Sequence, residues 1–206
     1  NSNSGVGVLG MSIGGTGVQA ASLGTGLRAS SLAGAAIAAE GTGRITSTAK
    51  SYIWISGNDL RPYHQSDTPI IDLDTVGGAK ISPGATVNSK YVMLPITVPG
   101  ELYGQEVRGS DLDIDWVGSS TFDGISAILL RRQTGVCETS SCYVSILHNT
   151  TDQVCEVGSN STGCRLHFDL TANNTLSANS GVLYLTFELA FGGGSGWVEI
   201  GGVRLT

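Results

Sequence analysis

Charged residues are scarce in this chain: Asp, Glu, Lys and Arg make up 14% of its 206 residues, and the net charge is −6. A surface that binds nucleic acid needs clustered Lys and Arg, and only 11 such residues are present, so nucleic acid is not an expected partner. Long apolar runs are also lacking. Arg28 and many glycines interrupt the roughly 20 apolar residues that a membrane span requires, so we expect no span.

Glycine, by contrast, is abundant, with 30 residues. The stretch "GVGVLG" at 5–10 fits the dinucleotide-binding fingerprint, which should be followed by a helix and, about 20 residues later, by an acidic residue. More glycine follows instead, and the first acidic residue is Glu40. We interpret the match as accidental and expect no cofactor.

The glycines belong to a repeat of about nine or ten residues. Segments 7–13, 17–23 and 26–32 share the pattern small, apolar, any, small, any, Ser, apolar. One unit is too short to bury its apolar side chains, and a single-chain solenoid needs at least three coils of about 20 residues each. Three chains around one axis would bury them in a narrow prism, with small residues where the backbones approach. An Ala-rich helix over 29–40 and a flexible linker are the alternatives.

These repeats, followed by "YIWISGNDLRPYHQSDTPIIDLD", resemble the Gly-rich repeats of bacterial and phage-type trimeric surface fibres. The likeness covers roughly residues 5–75. It implies an elongated homotrimer that presents a C-terminal domain, and it carries over no catalytic residues.

The second half of the chain alternates with period two. Leu183, Leu185 and Phe187, for example, alternate with Tyr184 and Thr186. Such alternation is typical of antiparallel strands with one buried face, and about eight short strands predict a jelly-roll-like β-sandwich. The fold class is therefore all-β, with a Gly-rich β-repeat over 1–56 and the sandwich over 88–206. Between them we expect an irregular connector over 57–87 that contains three of the five prolines and one short strand at Ile70–Leu73.

Four cysteines lie in two local groups, and none has the spacing typical of structural zinc. Of the three possible connectivities we favour Cys137–Cys142 and Cys155–Cys164, because each would close a polar, turn-rich segment. Disulfides favour an extracellular location or the surface of a cell or virion. Four reduced, buried thiols are the alternative.

Catalytic and metal-binding patterns are weak. Asp111, Asp113 and Asp115 share one strand face and could contact calcium, but a straight strand cannot curl around an ion, so we expect a solvated acidic face and no metal. The three histidines lie in no nucleophile motif, and no spacing singles out a pair of carboxylates. We therefore expect no enzyme.

Outward-facing aromatic residues are the candidates for ligand binding. By strand parity Tyr184 and Trp197 point away from the core, Tyr143 joins them, and Glu199 shares a face with Trp197. Flat rings on a sheet can stack on sugars, and the alternative is that they pack against a neighbouring subunit. The two other tryptophans, Trp54 and Trp116, are assigned to core or subunit packing.

Three functions remain open on the sequence alone. The first is an extracellular structural or adhesive fibre component, a homotrimer that displays its β-sandwich. The alternative is a carbohydrate-binding module of a secreted protein, or a phage-type receptor-binding tail protein, with surface glycans as partners. The third is a polysaccharide depolymerase, which would need a carboxylate pair in a groove.

The repeat interpretation predicts that residues 5–43 associate with two copies of themselves. Deleting them should leave a folded, monomeric C-terminal domain, whereas the full chain should sediment as a trimer. A full chain that sediments as a monomer, with this segment ordered, would overturn the interpretation.

Overall fold

The computed structural model describes residues 50–64, 66–73, 78–98, 101–102, 105–136, 142–156, 163–176 and 181–206. The chain divides into two units, Asn1–Gly43 and Arg44–Thr206, and every described residue belongs to the second. The predicted repeats and the alternative helix over 29–40 lie outside the described residues. Within the described ranges, no helix is long and apolar enough to cross a membrane.

The described residues form strands joined by turns and one short 3-10 turn, Gly57–Asp59, which confirms the all-β class. The strands are β1 (Ile53–Ser56), β2 (Arg61–Pro62), β3 (Ile70–Leu73), β4 (Ala79–Ser82), β5 (Lys90–Ile96), β6 (Glu101–Leu102), β7 (Gln105–Arg108), β8 (Asp111–Gly118), β9 (Gly124–Gln133), β10 (Tyr143–Asn149), β11 (Cys164–Asp169), β12 (Thr175–Leu176), β13 (Val182–Ala190) and β14 (Val198–Leu205).

Two antiparallel sheets carry most of these strands. A six-stranded sheet has the order β11-β8-β14-β4-β3, with β1 also paired to β14, and a five-stranded sheet has the order β10-β9-β13-β5-β2. Strands β12, β7 and β6 form a small third sheet. The longer strands pass from one large sheet to the other at most connections, which is the arrangement expected of a jelly-roll-like sandwich.

Alternation places the core between the two large sheets. Ile114 and Val203 of the six-stranded sheet and Leu185 and Phe187 of the five-stranded sheet belong to one hydrophobic cluster, and all four are fully buried. Burial on this scale is the main favourable term in folding. Trp116 lies in the same cluster, as predicted.

The sandwich begins earlier than the predicted boundary at residue 88. The described part of the segment 57–87, predicted to be a connector, supplies β2 to the five-stranded sheet and β3 and β4 to the six-stranded sheet. In β4, Ala79 and Ile81 are fully buried. These strands have two to four residues each, too few for a period of two to stand out, and Pro62 is tolerated because β2 is an edge strand.

A break in strand parity at Gly201 and Gly202 marks a bulge in β14. The register of β14 against β8 shifts between Ile200 and Val203, as the change in parity indicates. The Trp54 ring lies against Gly202, where an added Cβ would come within 3.2 Å of the ring. Trp54 itself is 55% exposed, so the chain's own core does not enclose it.

One predicted disulfide is confirmed. Cys155 and Cys164 are bonded, with their Cα atoms 6.0 Å apart. Cys142 is disulfide-bonded as well, and its predicted partner Cys137 lies outside the described residues. The bond is consistent with an oxidising compartment.

A buried carboxylate, which the sequence analysis did not identify, connects two turns. Asp123 Oδ2 accepts hydrogen bonds of 2.6 Å from the hydroxyls of Ser119 and Ser120, and Oδ1 accepts one of 3.0 Å from the backbone N–H of Gly192. Asp123 therefore ties the turn between β8 and β9 to the segment that precedes β14. Burial alone would raise the pKa of Asp123, but these hydrogen bonds bring it below its usual value.

Asp123→Asn should lower the free energy of unfolding by about 1–3 kcal/mol at pH 7, because charge-assisted hydrogen bonds are replaced by weaker ones. Since the folded pKa lies below the unfolded one, the carboxylate's contribution is present above the unfolded value and is lost as the pH falls through the folded value. Urea denaturation at pH 7 and at pH 3 should therefore show a difference between wild type and variant that shrinks in acid. A difference that stays constant or grows in acid would contradict this role.

Candidate functional site

Each large sheet has one face on the core and one face turned outward, and the two outward faces differ in chemistry. We call the outward side of the six-stranded sheet the ion-pair face; its members are Asp111, Asp113, Asp115, Arg165, His167, Glu199 and Arg204. We call the outward side of the five-stranded sheet the tyrosine face; its members include Arg61, Tyr63, Tyr91, Met93, Leu129, Arg131, Tyr143, His148, Tyr184, Thr186 and Glu188.

The aspartates of the ion-pair face are paired with cations. Lys50 Nζ lies 2.9 Å from Asp111, and Arg165 donates two hydrogen bonds, of 2.7 and 2.9 Å, to the carboxylate of Asp115. The expected solvated acidic face is therefore wrong, because the antiparallel register places Arg204 opposite Asp113 and Arg165 opposite Asp115, and Lys50, just before β1, reaches Asp111. Such pairing also counteracts the repulsion between neighbouring carboxylates.

Asp113 is the most buried of these aspartates, at 3% exposed. Arg204 Nε donates to it over 2.8 Å, and His167 Nδ1 lies 2.8 Å from its other oxygen. Burial alone would raise the pKa of Asp113, but the hydrogen bonds from His167 and Arg204 bring it below its usual value. The same contact with Asp113 raises the pKa of His167.

The sequence suggested Asp111, Asp113 and Asp115 as possible calcium ligands, but the structure brings a different set of side chains together. Asp111, His167 and Asp169 place one potential ligand atom each within 4.8 Å of one another. This group contains an imidazole, which suits transition metals better than calcium. Asp111 is already occupied by Lys50 and by the hydroxyl of Ser110, at 2.7 Å.

The four predicted ligand-binding residues are divided between the two sheets. Trp197 lies just before β14, and Glu199, within β14, stands opposite Lys80 in the register with β4. Lys80 Nζ lies 4.1 Å from the centre of the Trp197 ring, a cation–π contact that covers one side of this ring. Tyr143 and Tyr184, in contrast, lie on the tyrosine face.

Four of the chain's six tyrosines gather on the tyrosine face. Tyr184 stands between the buried Leu183 and Leu185 of β13, and Tyr143 opens β10. Tyr91 is on β5, and the backbone N–H of Tyr63, just after β2, donates to the carbonyl of Tyr91 over 2.9 Å. The alternation of apolar and polar residues in β5 could have identified Tyr91 as an outward-facing ring. Tyr63 follows a strand of only two residues, so the sequence showed no alternation from which its direction could be predicted.

Tyr184 takes the outward direction that parity predicts, but it is only 9% exposed, so the expectation of a ring left in water is wrong. Burial raises the pKa of its hydroxyl, the nearby Tyr63 adds to the rise, and Arg131 opposes it. Tyr184 is directly opposite Arg131 in the register with β9. Neighbouring large side chains therefore cover much of this ring.

A second group of rings lies toward the β2 edge of the face. The rings of Tyr63 and His64 are 4.5 Å apart, edge to face, and those of His64 and Tyr91 are 5.8 Å apart. Burial and a hydrogen bond with the carboxylate of Glu188 raise the pKa of Tyr91. The Glu188 carboxylate, at this end of the face, is thus hydrogen-bonded to the Tyr91 hydroxyl.

Arg131 lies at the other end, between aromatic rings. Its guanidinium carbon is 4.6 Å from the centre of the Tyr143 ring. No carboxylate of the described residues forms a salt bridge with it, and its buried Nε donates to no described acceptor. The sequence analysis missed Arg131 because it follows the apolar run "ISAILL" and has no motif around it.

Thr186 supplies another unsatisfied polar group in the middle of the face. It is 2% exposed, and its hydroxyl makes no hydrogen bond with a described residue. Its cross-strand neighbours are Met93 and Leu129, whose side chains offer no strong acceptor. The tyrosine face therefore combines rings with two buried polar atoms that have no described partner, whereas the aspartates of the ion-pair face are each paired with a cation.

Comparisons with known proteins find no similar sequence and only distant similarity to solved structures. No protein-family model and no curated protein sequence matches the chain. Among solved structures, a mutant of the carbohydrate-binding module CBM29-2 is 12% identical over 76% of this chain and 92% of its own, with a TM-score of 0.41. The xylan-binding module CBM86 from Roseburia intestinalis is 10% identical over 76% and 96%, with a TM-score of 0.37. The module CBM36, solved with calcium and xylotriose, is 8% identical over 75% and 99%, with a TM-score of 0.38.

Thr186→Val should raise the free energy of unfolding by about 1 kcal/mol, because it removes a buried hydroxyl without a partner and keeps the shape and β-propensity of the side chain. The matched control is Thr97→Val, at an exposed position just beyond β5, which should change stability little. Urea denaturation of both variants measures the difference. A loss of stability at position 186 would mean that the hydroxyl is bonded in the folded protein.

Proposed function

We propose that the chain is a carbohydrate-binding module that binds a glycan on the tyrosine face. The observation that carries the proposal is the joint presence, on one outward sheet face, of four tyrosines and two buried polar atoms without a described partner, Arg131 Nε and the Thr186 hydroxyl. Sugars present both an apolar ring face and hydroxyl groups, so their recognition needs flat apolar surfaces next to hydrogen-bonding groups. The tyrosine face supplies both.

The tyrosines suit this role because each has an apolar ring and a polar hydroxyl, so one residue can stack and donate a hydrogen bond. Tyr143, at the start of β10, is the half-buried member whose ring is stacked by Arg131. Strands hold these side chains at fixed separations, which reduces the conformational entropy lost on binding.

The ion-pair face is the weaker candidate even though it carries the exposed Trp54. Its carboxylates are already bonded, and a sugar would have to compete with Arg165 and Arg204 for them. Both guanidiniums also lie close to the Trp54 ring, at 5.9 and 5.5 Å. A glycan there would meet the exposed rings of Tyr52 and Trp54, both already in contact with Arg204, and few hydrogen-bonding groups outside an ion pair.

The role of a trimeric fibre that displays this domain concerns residues 5–43 and stays a prediction, as does the absence of enzymatic activity. Binding and display are compatible, since an adhesive protein needs both. The Cys155–Cys164 disulfide supports a secreted or surface location.

Tyr143→Ala should weaken glycan binding by about 30-fold, the effect of losing an aromatic contact worth about 2 kcal/mol at the centre of an interface. The probe is an array of plant, bacterial and animal oligosaccharides, followed by calorimetric titration of the glycan that binds best. The matched control is Tyr52→Ala, an exposed tyrosine that contacts Arg204 at the ion-pair face. If Tyr52→Ala abolishes binding and Tyr143→Ala does not, the site is on the other sheet.

A further inference from the structure

The guanidinium of Arg131 differs from the cations of the ion-pair face in having no counter-charge among the described residues. Lys50, Arg165 and Arg204 each lie within 2.9 Å of an aspartate oxygen. Arg131 is half-buried, and no carboxylate of the described residues lies within salt-bridge distance of it. Removing a charge from water is costly when no opposite charge compensates it.

The immediate neighbours of Arg131 are uncharged. Across the strands it faces Tyr184 on β13 and Ser145 on β10, and along β9 the next residues on the same face are Leu129 and Gln133. The stack on Tyr143 offsets part of the desolvation cost, because the ring face attracts a cation. A ring offers only its quadrupole and the Tyr184 hydroxyl only a hydrogen bond, so no carboxylate of the described residues compensates the charge of the guanidinium.

The acidic side chain of this sheet face stands at the opposite end. Glu188 lies four residues beyond Tyr184 on β13, about 13 Å along the strand, and it is bonded to Tyr91. Among the described residues, the half-buried cation Arg131 therefore lies near Tyr143, whereas the carboxylate near Tyr91 is occupied. Arg61, the other arginine of this face, is exposed on the edge strand β2. An anionic group on a bound ligand would be attracted to the Arg131 end.

We propose that Arg131, flanked by Tyr143 and Tyr184, binds the carboxylate of an acidic sugar unit, so that the glycan recognised by the tyrosine face is anionic. This inference rests on the proposed function. Guanidinium matches a carboxylate in shape and donates two parallel hydrogen bonds to it, and the tyrosine hydroxyls can donate to the same oxygens. A sulfate ester could make similar contacts, and the experiment separates the two.

The test measures binding of wild type, Arg131→Gln and Arg131→Lys to an array of neutral, carboxylated and sulfated oligosaccharides. The best carboxylated ligand is then compared by calorimetry with its carboxyl-reduced form, which has the same linkages and no charge. Arg108→Gln is the control, an exposed arginine on β7. Melting temperatures of all variants establish that each one is folded.

We expect wild type to prefer carboxylated glycans, and Arg131→Gln to bind them about 10- to 100-fold more weakly, the range for hydrogen bonds to a charged group. Arg131→Lys should fall between the two, because it keeps the charge and loses the paired geometry. Arg108→Gln should bind like wild type, and carboxyl reduction should weaken binding of wild type but not of Arg131→Gln.

Other outcomes separate the two proposals. If wild type binds neutral glycans, and this binding depends on Tyr143 but is unchanged in Arg131→Gln, the acidic-sugar inference is wrong and the proposed function stands. If wild type binds only sulfated glycans and Arg131→Gln does not bind them, the ligand group is a sulfate ester and the carboxylate inference is wrong. If no class of glycan binds wild type, both proposals are wrong.

Discussion

The shared hydrophobic core between the two large sheets is the constraint on which the remaining features depend. Because inward residues such as Ile114 and Phe187 must meet there, every second residue of each strand is directed outward. The register that packs the core therefore also fixes which outward side chains become neighbours. Asp113 meets Arg204, and Tyr184 meets Arg131, as consequences of the same pairing.

The two outward faces differ in how their polar side chains are paired. On the six-stranded sheet, acidic strand β8 lies between strands that carry arginines, and the charges compensate one another. On the five-stranded sheet, a cation and a buried hydroxyl lie among rings and aliphatic side chains. Unsatisfied groups of this kind reduce stability, and proteins retain such costs mainly at functional sites.

Long strands were predictable from the sequence, because β8 and β13 repeat with period two over eight or nine residues. The bulge at Gly201 and Gly202 and the pairing of Cys155 with Cys164 were predictable from local signals as well. Of the short strands, β3 was predicted at Ile70–Leu73, whereas β2 and β4 were not, since their stability comes from partners distant in sequence. Arg131 could not be found for the same reason, since only cross-strand pairing shows that its neighbours on β10 and β13, Ser145 and Tyr184, carry no opposite charge.

The central claim is that a glycan binds the tyrosine face, and amide chemical-shift mapping by NMR tests it most directly. Adding the best-binding oligosaccharide to the labelled protein should shift amide signals of β9, β10, β13 and β5, with the largest changes near Arg131, Tyr143 and Tyr184. Shifts confined to β8, β11 and β14 would place the site on the ion-pair face and contradict the account.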